Sequence, residues 1–276
     1  MRAERFWRAA LEVSRTAASS GALIPLSTER LELPNCAPFI LRRLQGAPPR
    51  HLREPGPRPN PFLPWDRPLE VGPLGPDHLL LLNKYPVQDG HLLLITQRWL
   101  PQSGWLSVSD WQAVAEVGAD TGGLWFFNNS PTAGASQPHR HLQLLPRASG
   151  EPSCPLAADL LAQLDGRAAL WPWAYRLDRR GPGDGNDLAD LYAHHCASLG
   201  LGRPARDPQP LHPYNLLFDD DWFLTIRRSR EHGAGFSVNA LGFAGYLLLT
   251  GHSDLDWLQR HGPLRLLQEV AAPAAG

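Results

Sequence analysis

The segment Gly134-Ala-Ser-Gln-Pro-His-Arg-His-Leu-Gln143 carries the strongest chemical signal in the chain. His139, His141 and Gln143 are spaced two residues apart, so on a β-strand their side chains share one face, roughly 7 Å apart per two-residue step. A neutral imidazole is a good nucleophile near neutral pH because its ordinary pKa is about 6.5. The spacing therefore indicates attack on a phosphorus atom by a histidine, with its neighbours hydrogen-bonding the phosphoryl oxygens.

The residues just before this motif have little side-chain bulk. Ala133, Gly134 and Ala135 would let backbone N–H groups approach a phosphate closely, and the Ser136 hydroxyl adds a further donor. Gln143 is uncharged, so it can orient a phosphoryl group but cannot serve as a general acid. A site of this kind suits a covalent phosphoramidate intermediate.

Three other interpretations of the histidine pair stay open on the residues alone. His139 and His141 could be hydrogen-bonded strand residues, inert surface residues, or two ligands of a metal ion. No carboxylate or cysteine lies within a few residues of them to complete a metal site. The small-residue loop and Gln143 favour the phosphate-binding interpretation.

The elements that must position this motif follow from hydrophobic periodicity. Helices are predicted near residues 3–18, 155–165, 187–199 and 253–270, and a further helix is predicted to start at Ser109. Strands are predicted over residues 78–83, 92–96, 124–128, 139–145, 214–218, 222–226, 237–241 and 243–249. This order predicts an α+β fold with a largely antiparallel sheet.

Residues 45–76 are crowded with proline and glycine, which exclude a helix or a central strand there. We therefore expect one domain over residues 1–276. Residues 1–59 would form an N-terminal helix and a Pro/Gly-rich arm, residues 60–150 the core with the histidine motif, and residues 151–276 a C-terminal extension.

Composition excludes several classes of protein. The 276 residues include 26 basic and 27 acidic side chains, without the basic surplus of a nucleic-acid binder, and 43% are hydrophobic, enough for a core. No apolar run reaches the roughly 18 residues of a membrane helix. Three widely spaced cysteines indicate a reducing compartment, so we expect a cytoplasmic protein.

The motif and several other segments resemble the diadenosine tetraphosphate phosphorylases, or ATP adenylyltransferases, of the histidine-triad superfamily. The similar segments are residues 60–64, 82–87, 90–96, 126–128, 134–143, 214–217 and 237–245, together with Trp222 and Arg228. The resemblance implies a histidine-triad-like antiparallel sheet with flanking helices. The His-x-His-x-Gln pattern alone would also fit galactose-1-phosphate uridylyltransferases.

The resemblance also implies roles for the motif residues. His141 would attack the α-phosphorus of a dinucleoside polyphosphate and form an adenylyl-histidine, which inorganic phosphate would then convert to ADP after ATP has left. His139 would help position His141 and the phosphate. Gln143 takes the place of the third histidine of the hydrolase branch, which fits transfer to phosphate in place of water.

The remaining site residues come from the same resemblance. Asn83 and Lys84 would lie at the nucleotide pocket, and the expected phosphate-side residues are Asn128, Gly134, Ser136 and Gln137. Lys84, the single lysine of the chain, and Arg228 would clamp the polyphosphate by charge. This chain departs from the family's usual Pro-Arg at Arg227-Arg228, which puts the Arg228 contact in question.

The expected partners are therefore small nucleotides: diadenosine tetraphosphate, ATP, ADP and phosphate, with neither nucleic acid nor membrane. A magnesium ion could accompany the polyphosphate, and no protein metal site is predicted. One alternative is uridylyl or guanylyl transfer to a sugar phosphate, or phosphorolysis of adenylyl sulfate, although no cysteine pair lies near the motif. The other is a nucleotide-binding sensor without turnover, against which the intact motif argues.

Overall fold

The computed structural model describes residues 2–46 and 60–274, so residues 47–59 of the Pro/Gly-rich stretch lie outside the described residues. Its helices are α1 (Arg5–Ser19), α2 (Val108–Asp120), α3 (Ala157–Leu164), α4 (Gly185–Ser198), α5 (Ala240–Phe243), α6 (Leu255–His261) and α7 (Pro263–Val270). Its strands are β1 (Thr28–Leu31), β2 (Ile40–Leu44), β3 (Glu70–Leu74), β4 (His78–Leu82), β5 (Leu92–Thr96), β6 (Gly123–Asn128), β7 (His141–Pro146), β8 (Tyr175–Arg179), β9 (Tyr214–Phe218), β10 (Trp222–Arg227), β11 (His232–Gly233), β12 (Phe236–Ser237) and β13 (Tyr246–Leu249).

Eight of these strands form the central sheet, in the order β3-β4-β5-β7-β6-β9-β10-β8. Every pair of neighbours in it is antiparallel. A smaller sheet joins β1, β2 and β13, and β11 pairs with β12. The predicted α+β class with a largely antiparallel sheet is confirmed.

The central sheet is covered on both faces, which explains why β4, β5 and β9 are apolar at nearly every position. One face packs on Trp111 of α2 and Tyr192 of α4. The other face meets α3, α5, α6 and α7 through a second apolar cluster that includes Phe126 and Leu266.

Strand β7 carries the polar motif residues onto this second face. His141 is opposite Ile95 of β5 in the sheet register, and Gln143 is opposite Leu93. Leu93 and Ile95 belong to a third, smaller apolar cluster that is separate from the other two. The two motif side chains therefore lie beside this third cluster, against which Phe62 and Trp65 pack.

Several predicted boundaries differ from the structure. The strand predicted over residues 237–241 is wrong, because the Asn239 side chain accepts a hydrogen bond from the Leu241 amide and starts helix α5. The helix predicted over residues 253–270 is broken at Gly262-Pro263, where Gly262 adopts a φ of 79°. The strand expected from His139 begins only at His141, and His139 makes an isolated bridge to Pro101.

A buried ion network ties the start of β7 to helix α2. The Asp110 carboxylate lies 2.8 Å from His78 Nε2 and accepts hydrogen bonds from Arg140 Nη1 at 3.1 Å and the Ser107 amide at 2.7 Å. Burial alone would raise the pKa of Asp110, but the His78 and Ser107 hydrogen bonds and the Arg140 charge hold it below its ordinary value. Arg140 sits between the motif histidines, so this network anchors them to the helix.

We expect Asp110→Asn to lower the free energy of unfolding by roughly 3 kcal/mol, because it leaves the Arg140 charge buried without its carboxylate. Asp187→Asn is the matched control, since Asp187 holds the same capping position in α4 but is exposed. The control should lose less than about 1 kcal/mol. Urea denaturation of both variants measures the difference, and equal losses would contradict the role given to the buried network.

Candidate active site

The orientation of the His141 ring is set by the backbone. Its Nδ1 lies 2.8 Å from the carbonyl oxygen of His139, which can only accept a hydrogen bond. Nδ1 therefore carries the proton, and the Nε2 lone pair is left free. The His141 backbone N–H donates to Gln102 Oε1 at 2.8 Å, which holds the residue at the strand start. This is the tautomer that attack through Nε2 requires.

Burial keeps the His141 imidazole uncharged. The residue is 4% exposed, and loss of solvent lowers its pKa to about 4. His139 is fully buried, and its pKa is also lowered, chiefly by burial. Its Nε2 lies 2.9 Å from the Thr96 carbonyl oxygen, and the Asn60 side-chain amide lies 3.2 Å from its Nδ1.

Gln143 is oriented by hydrogen bonds that run from Asn83 through His91 to its own side chain. Asn83 Oδ1 accepts from the Tyr85 amide, so its Nδ2 is the atom 3.3 Å from His91 Nδ1. A donor at His91 Nδ1 places the proton on Nε2, which donates to Gln143 Oε1 at 2.9 Å. The Gln143 amide nitrogen is then left available to donate to a ligand.

His91 orients Gln143, a role that the spacing of the motif does not predict. It is buried, and burial lowers its pKa to about 4, so it stays neutral between Asn83 and Gln143. The sequence feature that could have indicated this role is a histidine directly before the apolar strand β5. That strand is a neighbour of the motif strand β7 in the sheet.

The loop before the motif depends on a glycine. Gly134 has a φ of 84°, and a Cβ there would lie 2.7 Å from the Asn239 Cβ. Ser136 is exposed on this loop, whereas the buried Gln137 Oε1 has no hydrogen-bond partner among the described residues. A buried polar atom without a partner is costly, so the loop retains unused capacity for hydrogen bonding.

Asn128 lies beneath the loop and is buried. Its Oδ1 accepts hydrogen bonds from Asn215 Nδ2 and the Ala240 amide, both at 2.8 Å. Asn215 Nδ2 also donates to the Ala133 carbonyl at 2.8 Å. In this structure Asn128 therefore holds the loop from below.

Arg228 is inside the protein, 2% exposed. Its guanidinium donates to Asn215 Oδ1 and to the backbone carbonyls of Ala133, Arg230, Val238 and Val270. Burial lowers its pKa to about 9, which leaves it charged at neutral pH. Because all of its donors are used within the protein, we propose that Arg228 supports the loop in place of the phosphate contact expected from the resemblance.

Lys84 faces solvent, with its side chain 41% exposed, and its Nζ lies 3.2 Å from Asp66 Oδ2. Asp66 follows Phe62, whose ring contacts both His139 and His141 at centroid distances of 5.5 and 5.4 Å. Four residues span at most roughly 14 Å. The chain from Phe62 to Asp66 thus connects the histidines to the single lysine.

Two family domains together account for most of the chain. The Ap4A phosphorylase N-terminal domain matches residues 1–162, and the ATP adenylyltransferase C-terminal domain matches residues 169–273. This chain belongs to the Ap4A phosphorylase family. The resemblance seen in the motifs is confirmed.

Two Saccharomyces cerevisiae proteins are similar in sequence to this Ap4A phosphorylase family member. Diadenosine 5',5'''-P1,P4-tetraphosphate phosphorylase 2 is 35% identical over 80 residues, and Protein APA1 is 36% identical over 73 residues. The matches cover 25% and 24% of this chain and 25% and 23% of those proteins, so the chain spans about a quarter of the length of the curated relatives it matches.

The fold extends over the full length of a solved family structure. The crystal structure of yeast Ap4A phosphorylase Apa2 superposes with a TM-score of 0.75 at 22% identity and covers 100% of this chain and 97% of that one. Its complex with Ap4A gives a TM-score of 0.74 at 20% identity, with both chains covered completely. At this identity the likeness shows the shared fold.

Two kinds of feature are absent from the described residues. Within residues 2–46 and 60–274, no three His, Cys, Asp or Glu side chains converge as metal ligands do. None of the helices described in this family member is both long and apolar enough to cross a bilayer.

His91, His141 and His195 are buried in the folded protein with a pKa of about 4. As the pH falls, each histidine is therefore protonated in the unfolded chain before it is protonated in the folded protein. The free energy of unfolding should therefore rise with pH between about 4 and 6.5, by up to roughly 1.4 kcal/mol per pH unit for each histidine. We expect His141→Gln to reduce this slope by about that amount. Urea denaturation at a series of pH values measures it, and an unchanged slope would contradict a neutral, buried His141.

Proposed function

We propose that this protein cleaves diadenosine tetraphosphate with inorganic phosphate to ATP and ADP through an adenylyl-histidine at His141. The observation that carries the proposal is the hydrogen bond from His141 Nδ1 to the His139 carbonyl, which leaves Nε2 unprotonated on the strand β7 that also carries Gln143. Membership of the Ap4A phosphorylase family supports it, as do relatives whose names carry that activity.

The reaction takes two displacements at one phosphorus atom. His141 Nε2 attacks the α-phosphorus, the bond to the bridging oxygen breaks, and ATP leaves. An oxygen of inorganic phosphate then attacks the adenylyl phosphorus, the P–N bond breaks, and ADP leaves with neutral His141 restored. The adenylyl-imidazolium is positively charged, and the Nδ1–H bond to the His139 carbonyl stabilises that charge. Run backwards, the same steps join ATP to ADP.

The neighbouring residues bind and orient in this scheme. The Gln143 amide and the loop of Gly134, Ser136 and Gln137 would donate to the phosphoryl oxygens, with the loop held by Asn128 and Arg228. Asn83 and Lys84 would line the nucleotide pocket. His139 would position His141 through its backbone carbonyl.

Gln143 is proposed to favour phosphate over water as the acceptor. A water molecule must lose a proton as it attacks, and an amide offers no basic group to take it. Inorganic phosphate already carries negative charge and needs no such help. Gln143→His would supply a titratable group, so an unchanged ratio of AMP to ADP in that variant would contradict this account.

Three wider expectations stay proposals. The eight-stranded sheet draws strands from both family-matched regions, which supports a single domain over residues 1–276. The unpaired state of Cys36, Cys154 and Cys196 supports a cytoplasmic setting. A magnesium ion would come with the polyphosphate, and the substrates would be nucleotides and not nucleic acid.

Incubation with diadenosine tetraphosphate, with and without phosphate, tests the proposed function. We expect ATP and ADP only when phosphate is present, and a loss of about 10³-fold or more in turnover for His141→Ala. ATP and AMP without phosphate would indicate hydrolysis instead. Absence of turnover would direct the search to sugar phosphates or adenylyl sulfate, or to a sensor role if nucleotides still bind.

Substitutions of Lys84 and of its partner Asp66 are expected to change KM in opposite directions. Lys84→Met removes a cation that would bind the polyphosphate, so KM for diadenosine tetraphosphate should rise about 10-fold. Asp66→Asn removes the carboxylate that competes for Lys84, so KM should fall severalfold. Lys84→Arg is the charge-preserving control. Steady-state kinetics at low salt measures all three, and weaker binding by Asp66→Asn would contradict this role.

A further inference from the structure

We propose that Phe62 sets the acid limit of the reaction by shielding the imidazoles of His139 and His141 from water. Phe62 has no reactive group, so it acts as a positioning residue. The inference rests on the proposed function, because it assumes that His141 is the nucleophile.

The Phe62 ring lies edge-on to both imidazoles. Its centroid is 5.5 Å from that of His139 and 5.4 Å from that of His141, with interplanar angles of 63° and 70°. These are ordinary edge-to-face aromatic contacts. The ring also packs on the small apolar cluster whose members are Leu79, Leu81, Leu93 and Ile95. Phe62 thus extends an apolar surface from β4 and β5 over the motif.

The segment that carries Phe62 is held at both ends. The Asn60 side chain contacts His139 Nδ1 before it. After it, Trp65 Nε1 donates to Glu70 Oε2 at 2.7 Å, and Asp66 pairs with Lys84. These contacts on both sides hold the ring against His139 and His141.

The charges near His141 do not explain its neutrality. His139 on its own segment and His91 from the start of β5 face it, and both are themselves buried. Arg140 points to the opposite side and is paired with Asp110. In the described part of the chain, no carboxylate is within hydrogen-bond distance of His141, and Gln102 and Gln143 are uncharged. Desolvation is the largest influence on its pKa, and Phe62 is a side chain that supplies it.

Removing the ring would let water reach the imidazoles. The pKa of His141 would then move from about 4 towards its ordinary value, about 6.5. A protonated imidazole has no lone pair at Nε2 and cannot attack phosphorus. Phosphorolysis would consequently fail at a mildly acidic pH at which the unaltered protein is expected to remain active. An apolar replacement that still covers the rings should preserve the acid tolerance.

The experiment compares Phe62→Ala with the apolar control Phe62→Leu in the full-length protein. The pH profile of kcat/KM for diadenosine tetraphosphate is recorded, and the His141 imidazole is titrated by ¹⁵N NMR without substrate. We expect the acid limb and the His141 titration to rise by about one pH unit or more in Phe62→Ala, and by less than half of that in Phe62→Leu.

An acid limb that stays in place while kcat falls at every pH would overturn the proposal, because Phe62 would then serve packing alone. A titration that moves without the acid limb would overturn it as well. Phe62→Val removes part of the cover and must shift both readouts in the same direction if Phe62→Ala fails to fold. Failure of the proposed function is distinguishable, since it shows as absent phosphorolysis in the unaltered protein.

Discussion

The site depends on the hydrogen bond from His141 Nδ1 to the carbonyl oxygen of His139. That bond fixes which nitrogen carries the proton, and it requires His139 and His141 to hold one backbone geometry at the start of β7. Gln102 secures it from the side, since its Oε1 accepts the His141 amide and its Nε2 donates to the Asn128 and His141 carbonyls. Arg140 secures it from behind through Asp110. A polar network on the opposite face of the sheet thus orders the reactive face.

The same site meets two opposing demands. A nucleophilic imidazole must be neutral, which favours a dry environment, yet the proposed substrate is a polyanion that needs donors and positive charge. The protein separates the two in space. Near His141 the polar groups are amides and a neutral His91, whereas the ammonium of Lys84 lies in solvent beside Asp66. The near-neutral net charge of the chain is compatible with this separation, because the electric field at the phosphates depends on the local arrangement of charged groups.

Local pattern predicted much of this from the sequence. Alternation placed His141 and Gln143 on one face, and the apolar runs of β4, β5, β9 and β10 marked the central strands. Strands β3 and β8 were missed because they lie at the edges of the sheet, where half-exposed residues give no apolar run. The His91–Gln143 bond was missed because strand pairing brings together residues 52 apart in sequence.

Arg228 shows why the charge of a residue type does not by itself indicate a ligand contact. A guanidinium with no carboxylate within ion-pair distance in the described structure would be costly to bury unless every N–H were satisfied. Here four of the five acceptors are backbone carbonyls, and three of these belong to segments that must meet: the loop at Ala133, the turn at Val238 and the end of α7 at Val270. Five directed bonds from one planar group specify their relative positions more tightly than apolar contacts could. In the proposed reaction its charge would therefore act indirectly, by fixing the backbone of the loop that contains Gly134.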